Sequence, residues 1–210
     1  MLVSEIIDQF RGLTNDVRVG GHASDVLFTD AVLISYINDA VTRLCRTSLC
    51  LKGQQQVTLA NATDTYNLDT RTLNIKSVSF SSDGNPIDKT TERTLNQTVS
   101  SWRTVTGQPS FYFTDLGLKT ISFYPIPDTS MAGVNVDISA FSDATPVTAL
   151  GDTPFIGEEY HNDIVTFLLK RGFSTHDSAI YNDEKAKEQD ALWEIAIQRA
   201  KSHEKRNRDS

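Results

Sequence analysis

The hydrophobic period changes twice along the chain. Leu2, Ile6, Phe10 and Leu13 recur at intervals of four, four and three, the stripe of an amphipathic helix over residues 2–13. Ser4 is placed to cap its start, with Glu5 and Asp8 suiting the positive end of the helix dipole. Val19-Gly20-Gly21-His22 breaks the pattern as a loop. Thr29-Asp30 opens a second helix, whose apolar face runs through Leu33, Ile37, Ala40 or Val41, and Leu44 to about Leu49, with Lys52-Gly53 as its stop.

From Gln55 to about Phe141 alternation replaces the helical period. Val57 and Leu59, Tyr66 and Leu68, and the run Ile75, Val78, Phe80 read as strands, with Asp83-Gly84-Asn85-Pro86 a turn. Leu95, Val99 and Trp102 allow a short helix within the polar stretch 88–106. Phe111 and Phe113 flank Tyr112; after Asp115-Leu116-Gly117, Ile121 and Phe123 alternate with Ser122 and Tyr124 up to the Pro125-Ile126-Pro127 break. Val134, Val136 and Ile138 continue the pattern of half-buried antiparallel strands. The helical period returns after Asp152–Gly157. Tyr160, Ile164, Phe167, Leu168 and Arg171 share one face; Ala186, Gln189, Trp193, Ala196 or Ile197, and Ala200 form the stripe of a last helix starting near Asn182. The expected fold is α+β: mainly an α-helical bundle of about four helices over 1–54 and 150–205. An antiparallel β-rich segment, 55–149, is inserted between helices two and three, and 206–210 is a basic C-terminal tail.

Composition narrows the function. The chain has 210 residues, enough to bury a core without disulfides or a metal. A net charge of −7 speaks against a sequence-reading nucleic-acid binder. The charge is uneven: Arg199, Lys201, Lys205, Arg206 and Arg208 outnumber Glu204 and Asp209 at the C-terminal end, which leaves the rest of the chain more acidic still. The two cysteines, Cys45 and Cys50, would need a tight turn to form a bridge and fit no zinc spacing, so free thiols are expected. No apolar run approaches the ~18 residues of a membrane span, and the opening MLVSEIIDQF, with Glu5 and Asp8, does not read as a leader.

Catalytic patterns are scarce. His161 has Ile164 and Val165 where a second metal ligand would stand one turn on, and His22, His176 and His203 join no ligand pattern. Gly20-Gly21 lacks the Lys-Ser/Thr of a phosphate loop, and no serine sits in a Gly-x-Ser-x-Gly elbow. Glu158-Glu159 and Asp183-Glu184 read as helix-start charges; a glycosidase pair would need two acids facing a cleft. Tyr112 and Tyr124 offer either an aromatic patch for a sugar or a partner, or packing for a second sheet face. No catalytic, cofactor-binding or metal residue is expected.

Five weak motifs follow one another in order over roughly residues 3–205. They are the helix Thr29–Ala40, carrying Ile37-Asn38-Asp39-Ala40; the strand pair Gln56–Leu59 and Thr65–Leu68; Gly107-Gln108-Pro109-Ser110-Phe111-Tyr112; Phe123-Tyr124-Pro125-Ile126-Pro127-Asp128; and the segment from Pro154 to His161. That order resembles the head-to-tail adaptor, or connector, proteins of tailed bacteriophages. The resemblance implies a non-enzymatic virion structural protein in the neck, put together in the host cytoplasm. It would form a ring of typically twelve copies joining the portal protein to tail (nozzle and tube) proteins, with DNA passing through without sequence recognition. It also implies that the C-terminal segment meets the portal, which makes Arg199, Lys201, Lys205, Arg206 and Arg208 candidate contacts. Tyr112 and Tyr124 become candidates for subunit or tail contacts. The chain departs from the family in the long polar stretch 81–106 and in having few basic residues in its second helix. Two alternatives stand beside this reading: another head-closure or tail-completion protein, and a carbohydrate-binding or hydrolase module around Tyr112, Tyr124 and Trp102.

Overall fold

The structure is a computed structural model that describes residues 1–16, 26–176 and 178–209, with the side chains of 204 and 206–209 excepted. The expected Val19–His22 loop lies outside the described residues. The chain divides into two compact units, Met1–Leu51 with Asp143–Ser210, and Lys52–Ser142. Its α-helices are α1 (Val3–Thr14), α2 (Asp30–Ser48), α3 (Glu92–Thr98), α4 (His161–Ser174) and α5 (Asp183–Asp209). Its strands are β1 (Lys52–Thr58), β2 (Thr65–Asn67), β3 (Thr72–Phe80), β4 (Pro86–Lys89), β5 (Thr106–Gly107), β6 (Phe111–Phe113), β7 (Thr120–Tyr124), β8 (Ile126–Pro127) and β9 (Asn135–Ser142).

In the first unit each helix end is tied by a specific group. α1 starts two residues earlier than Ser4 would cap it, with Leu2 at the cap position and Glu5 reaching back: its carboxylate accepts the Leu2 N–H at 2.7 Å. The next donors, which every helix start leaves without an internal partner, go to a remote segment. Val3 N–H donates to the Asp152 carbonyl at 2.9 Å and Ser4 N–H to that of Leu150 at 3.0 Å. α2 begins as expected, the Thr29 hydroxyl accepting from the Val32 N–H at 3.4 Å. It stops earlier than Gly53, at Leu49, which is held in the left-handed region (φ 54°) with its N–H on the Cys45 carbonyl. α2 and α4 pack together in the middle of this unit. α1 and α5 each lean on both of them. Ile6, Phe10, Leu33, Ile37, Leu44, Phe167 and Trp193 are all but fully buried there, with the Phe167 and Trp193 rings 5.0 Å apart. The side-chain amide of Asn38 clamps the return segment: Nδ2 donates to the Val147 carbonyl and Oδ1 accepts the Val147 N–H, each at 2.9 Å.

The second unit corrects the expected fold class. The protein is a mixed α+β fold, with five α-helices among the described residues and a large, nearly closed seven-stranded sheet. It is not mainly a bundle of about four helices with an inserted antiparallel β-rich segment. The strand order is β1-β9-β3-β4-β6-β7-β2, and β4 pairs with β6 in parallel; a second, two-stranded sheet pairs β5 with β8, also in parallel. Alternation reports that a strand has one dry face but not which strand lies beside it. Here β9, the last strand, fits between β1 and β3. The polar stretch 81–106 supplies β4, α3 and the 3-10 turn Trp102–Thr104. Leu95 of α3 and Trp102 then bury Phe113, so β6 has apolar contacts on both faces. The two end strands are stitched by one side chain: Gln55 of β1 donates from Nε2 to the Asn67 carbonyl at 3.2 Å, and its Oε1 accepts the Asp69 N–H at 2.8 Å.

Candidate contact surfaces

The groups with chemical potential are absorbed into the packing. His161 is buried, and its Nδ1 lies 2.9 Å from the Met1 amino group. Burial, followed by the positive charge of that amino group, pushes the imidazole below its ordinary pKa, so it is neutral near pH 7. Its Nε2 makes no regular hydrogen bond, although the Ile156 and Pro154 backbones favour a proton on the ring. Cys45 is buried and Cys50 half-buried, both as free thiols; a hydrogen bond from Cys50 and then burial push the Cys45 thiol far up. Among the described residues no group of three or more His, Cys, Asp or Glu side chains is placed to hold a metal ion.

The two tyrosines part company. Tyr112 is 3% exposed, directly opposite Phe123 in the β6–β7 ladder, and burial raises its phenol pKa. It belongs to the sheet core. Tyr124 is half-buried, edge-on to Trp102 and stacked on Phe111 at 6.4 Å. The aromatic surface of this hairpin is therefore Phe111 with Tyr124, and Leu118 at its tip is 96% exposed. Of the two readings alternation left open for Tyr112, its burial in the sheet fits packing.

The basic residues at the C-terminal end also differ among themselves. Arg199 forms an ion pair with Asp163 of α4, which fastens α5 to its neighbour. Ala200 is the last buried residue of α5 among those described; Lys201 and Lys205 beyond it are exposed. The side chains of Arg206 and Arg208 lie outside the described residues.

Sequence reasoning missed a surface along α1. A groove of about 490 Å³ runs along α1, bordered by Asp8, Gly12, Asp30 and Leu150. Arg11 closes its base; Nη2 donates to Asp30 Oδ1 at 2.6 Å and to the Phe28 carbonyl at 3.1 Å. A Cβ added to Gly12 would meet nothing within 4 Å. The signal was present in the sequence as a lone glycine inside a helical stripe. Leu192 and Ile195 of α5 fall off the buried stripe and are 46% and 63% exposed.

No curated protein matches the chain in sequence. The profile of the SU10 adaptor protein family matches residues 1–210, the whole length, and the chain belongs to that family of phage head-to-tail adaptor proteins.

Proposed function

We propose that this phage adaptor works in the virion neck as a ring, expected at twelve copies from the family resemblance, joining the portal protein to tail proteins and leaving a lumen for DNA. The observation that carries the reading is the end of α5. That helix runs on for about two turns after Ala200, its last buried residue among those described, and displays Lys201 and Lys205 with no core to cover them. Arg206 and Arg208 extend the same basic sequence. A basic helix end of this kind suits an acidic surface on the portal, since complementary charge steers the encounter and fixes its register. The net charge of −7 supports the lumen role, because a body that does not neutralise phosphates lets DNA slide. Tyr124, with Phe111 beside it, is the proposed contact for a neighbouring subunit or a tail protein. Among the described residues no helix is long and apolar enough to cross a membrane.

The test is sedimentation of the purified chain with its cognate portal protein. Lys201→Glu combined with Lys205→Glu should abolish co-sedimentation while leaving the far-ultraviolet circular dichroism unchanged. Unaltered binding by that double variant would remove the helix end from the portal contact. A wild-type chain that never assembles with portal would remove the ring reading itself.

A further inference from the structure

We infer that Cys45 and Cys50 are a thiol pair that closes into a reversible disulfide on the folded chain when a small disulfide, such as oxidised glutathione, reaches it. The inference stands apart from the ring reading and needs only the first unit.

A bridge between cysteines five residues apart needs a tight turn, and the end of α2 supplies one. Leu49 is left-handed (φ 54°), and its N–H returns to the Cys45 carbonyl at 2.9 Å. In a helix stop of this kind the residue after the left-handed one commonly folds back onto the last turn. Here that residue is Cys50, and the position it folds back on is Cys45. Cys50 packs on the helical core that holds Cys45, and a hydrogen bond links the two thiols. Glycine is the usual residue for such a turn, and leucine enters it at a cost. The chain nevertheless turns at Leu49 rather than at Gly53, and so sets one thiol against the other.

The two thiols differ in access. Cys45 is fully buried, whereas Cys50 is half-buried and reaches solvent. Cys50 is therefore the attacking group. Its thiolate attacks one sulfur of oxidised glutathione, which forms a mixed disulfide and releases one glutathione. The Cys45 thiolate then attacks the Cys50 sulfur, and the second glutathione leaves. Each glutathione departs with the proton that a cysteine gives up. Two cysteine thiols are oxidised and one glutathione disulfide is reduced, so the exchange balances without another oxidant. Cys50 is the first cause that keeps the proton on Cys45, ahead of burial, while the Ala144 backbone favours the Cys45 thiolate. Conversion of Cys50 to the mixed disulfide removes that hold, and the second step follows the first. The bridge closes the last turn of α2 just before β1 begins at Lys52. A phage protein meets both conditions, since thiols stay reduced inside the host cell and oxidise outside it.

The test treats the purified, folded chain with oxidised glutathione and then with dithiothreitol, following intact mass and thiol titration in denaturant. The wild type should lose both thiols, become lighter by two hydrogens, stay a single chain on non-reducing gels, and regain its starting mass with dithiothreitol. Cys45→Ala should stop at the mixed disulfide, one glutathione heavier. Cys50→Ala should keep its buried thiol under the same treatment. A wild type that retains both thiols, one that ends at the mixed disulfide, or a bridge that joins two chains each overturn the inference. Modification of Cys50→Ala as fast as wild type overturns the order of attack. The wild-type measurement decides the bridge by itself, so it holds even where a variant fails to fold.

Discussion

Asn38→Asp isolates the clamp that ties the return segment to α2. The change is isosteric and touches one atom: the Nδ2 that donates to the Val147 carbonyl at 2.9 Å becomes an oxygen, while Oδ1 still accepts the Val147 N–H. At pH 7 the lost bond removes about 1 kcal/mol, and an ionised oxygen facing a half-buried carbonyl adds about 1–2 kcal/mol for an acceptor left without a donor. The total, about 2–3 kcal/mol, lowers the folding constant roughly 30- to 150-fold and the melting temperature of a domain this size by about 5–10 °C. Protonation restores a donor at the same place, so the introduced carboxyl has a raised pKa in the folded state. The folded chain then binds the proton more tightly than the unfolded one, and the deficit shrinks as pH falls from 7 to 4. Asn38→Ala lacks that rescue. Urea melts of the three proteins at pH 7 and pH 4, each compared with wild type at the same pH, decide the matter. A variant within 0.5 kcal/mol of wild type at pH 7, on the roughly 0.5 kcal/mol scale of neutral surface changes, or a deficit that ignores pH, would refute the clamp.

Two further outcomes follow from burial. Trp193→Ala empties a site that is 1% exposed and 5.0 Å from Phe167, and should cost about 3–5 kcal/mol in a urea titration; a loss below about 1 kcal/mol would mean that α5 is not held by this contact. His161 has a folded-state pKa below its ordinary 6.5, so the unfolded chain takes up a proton first as pH falls. Its contribution is complete above 6.5 and is lost as pH drops toward the folded value. His161→Leu should therefore flatten the stability curve between pH 7 and pH 5, and an unchanged slope there would assign the acid sensitivity to other groups.

What could be read in the amino-acid sequence was whatever depends on near neighbours. The α2 cap at Thr29 needs only the Val32 N–H three residues on, and the stripe through Trp193 and Ala200 needs only the helical period. What could not be read depends on distant segments. Leu49 enters the left-handed region, which leucine avoids in isolation, to end α2. The first α1 donors are met by Leu150 and Asp152, far along the chain. The β4–β6 parallel pair joins strands that no hairpin rule connects, and it is this non-local pairing that turned an expected insertion into a large sheet. At the contact surfaces, the clustering of basic residues was visible, whereas the capture of Arg199 by Asp163 and the burial of Tyr112 required the fold.

The Gln55 amide has a consequence for crowding. A sheet whose terminal strands stay bare invites strands from other chains to extend it. By spending both its donor and its acceptor on Asn67 and Asp69, Gln55 occupies backbone groups that a foreign strand would otherwise take.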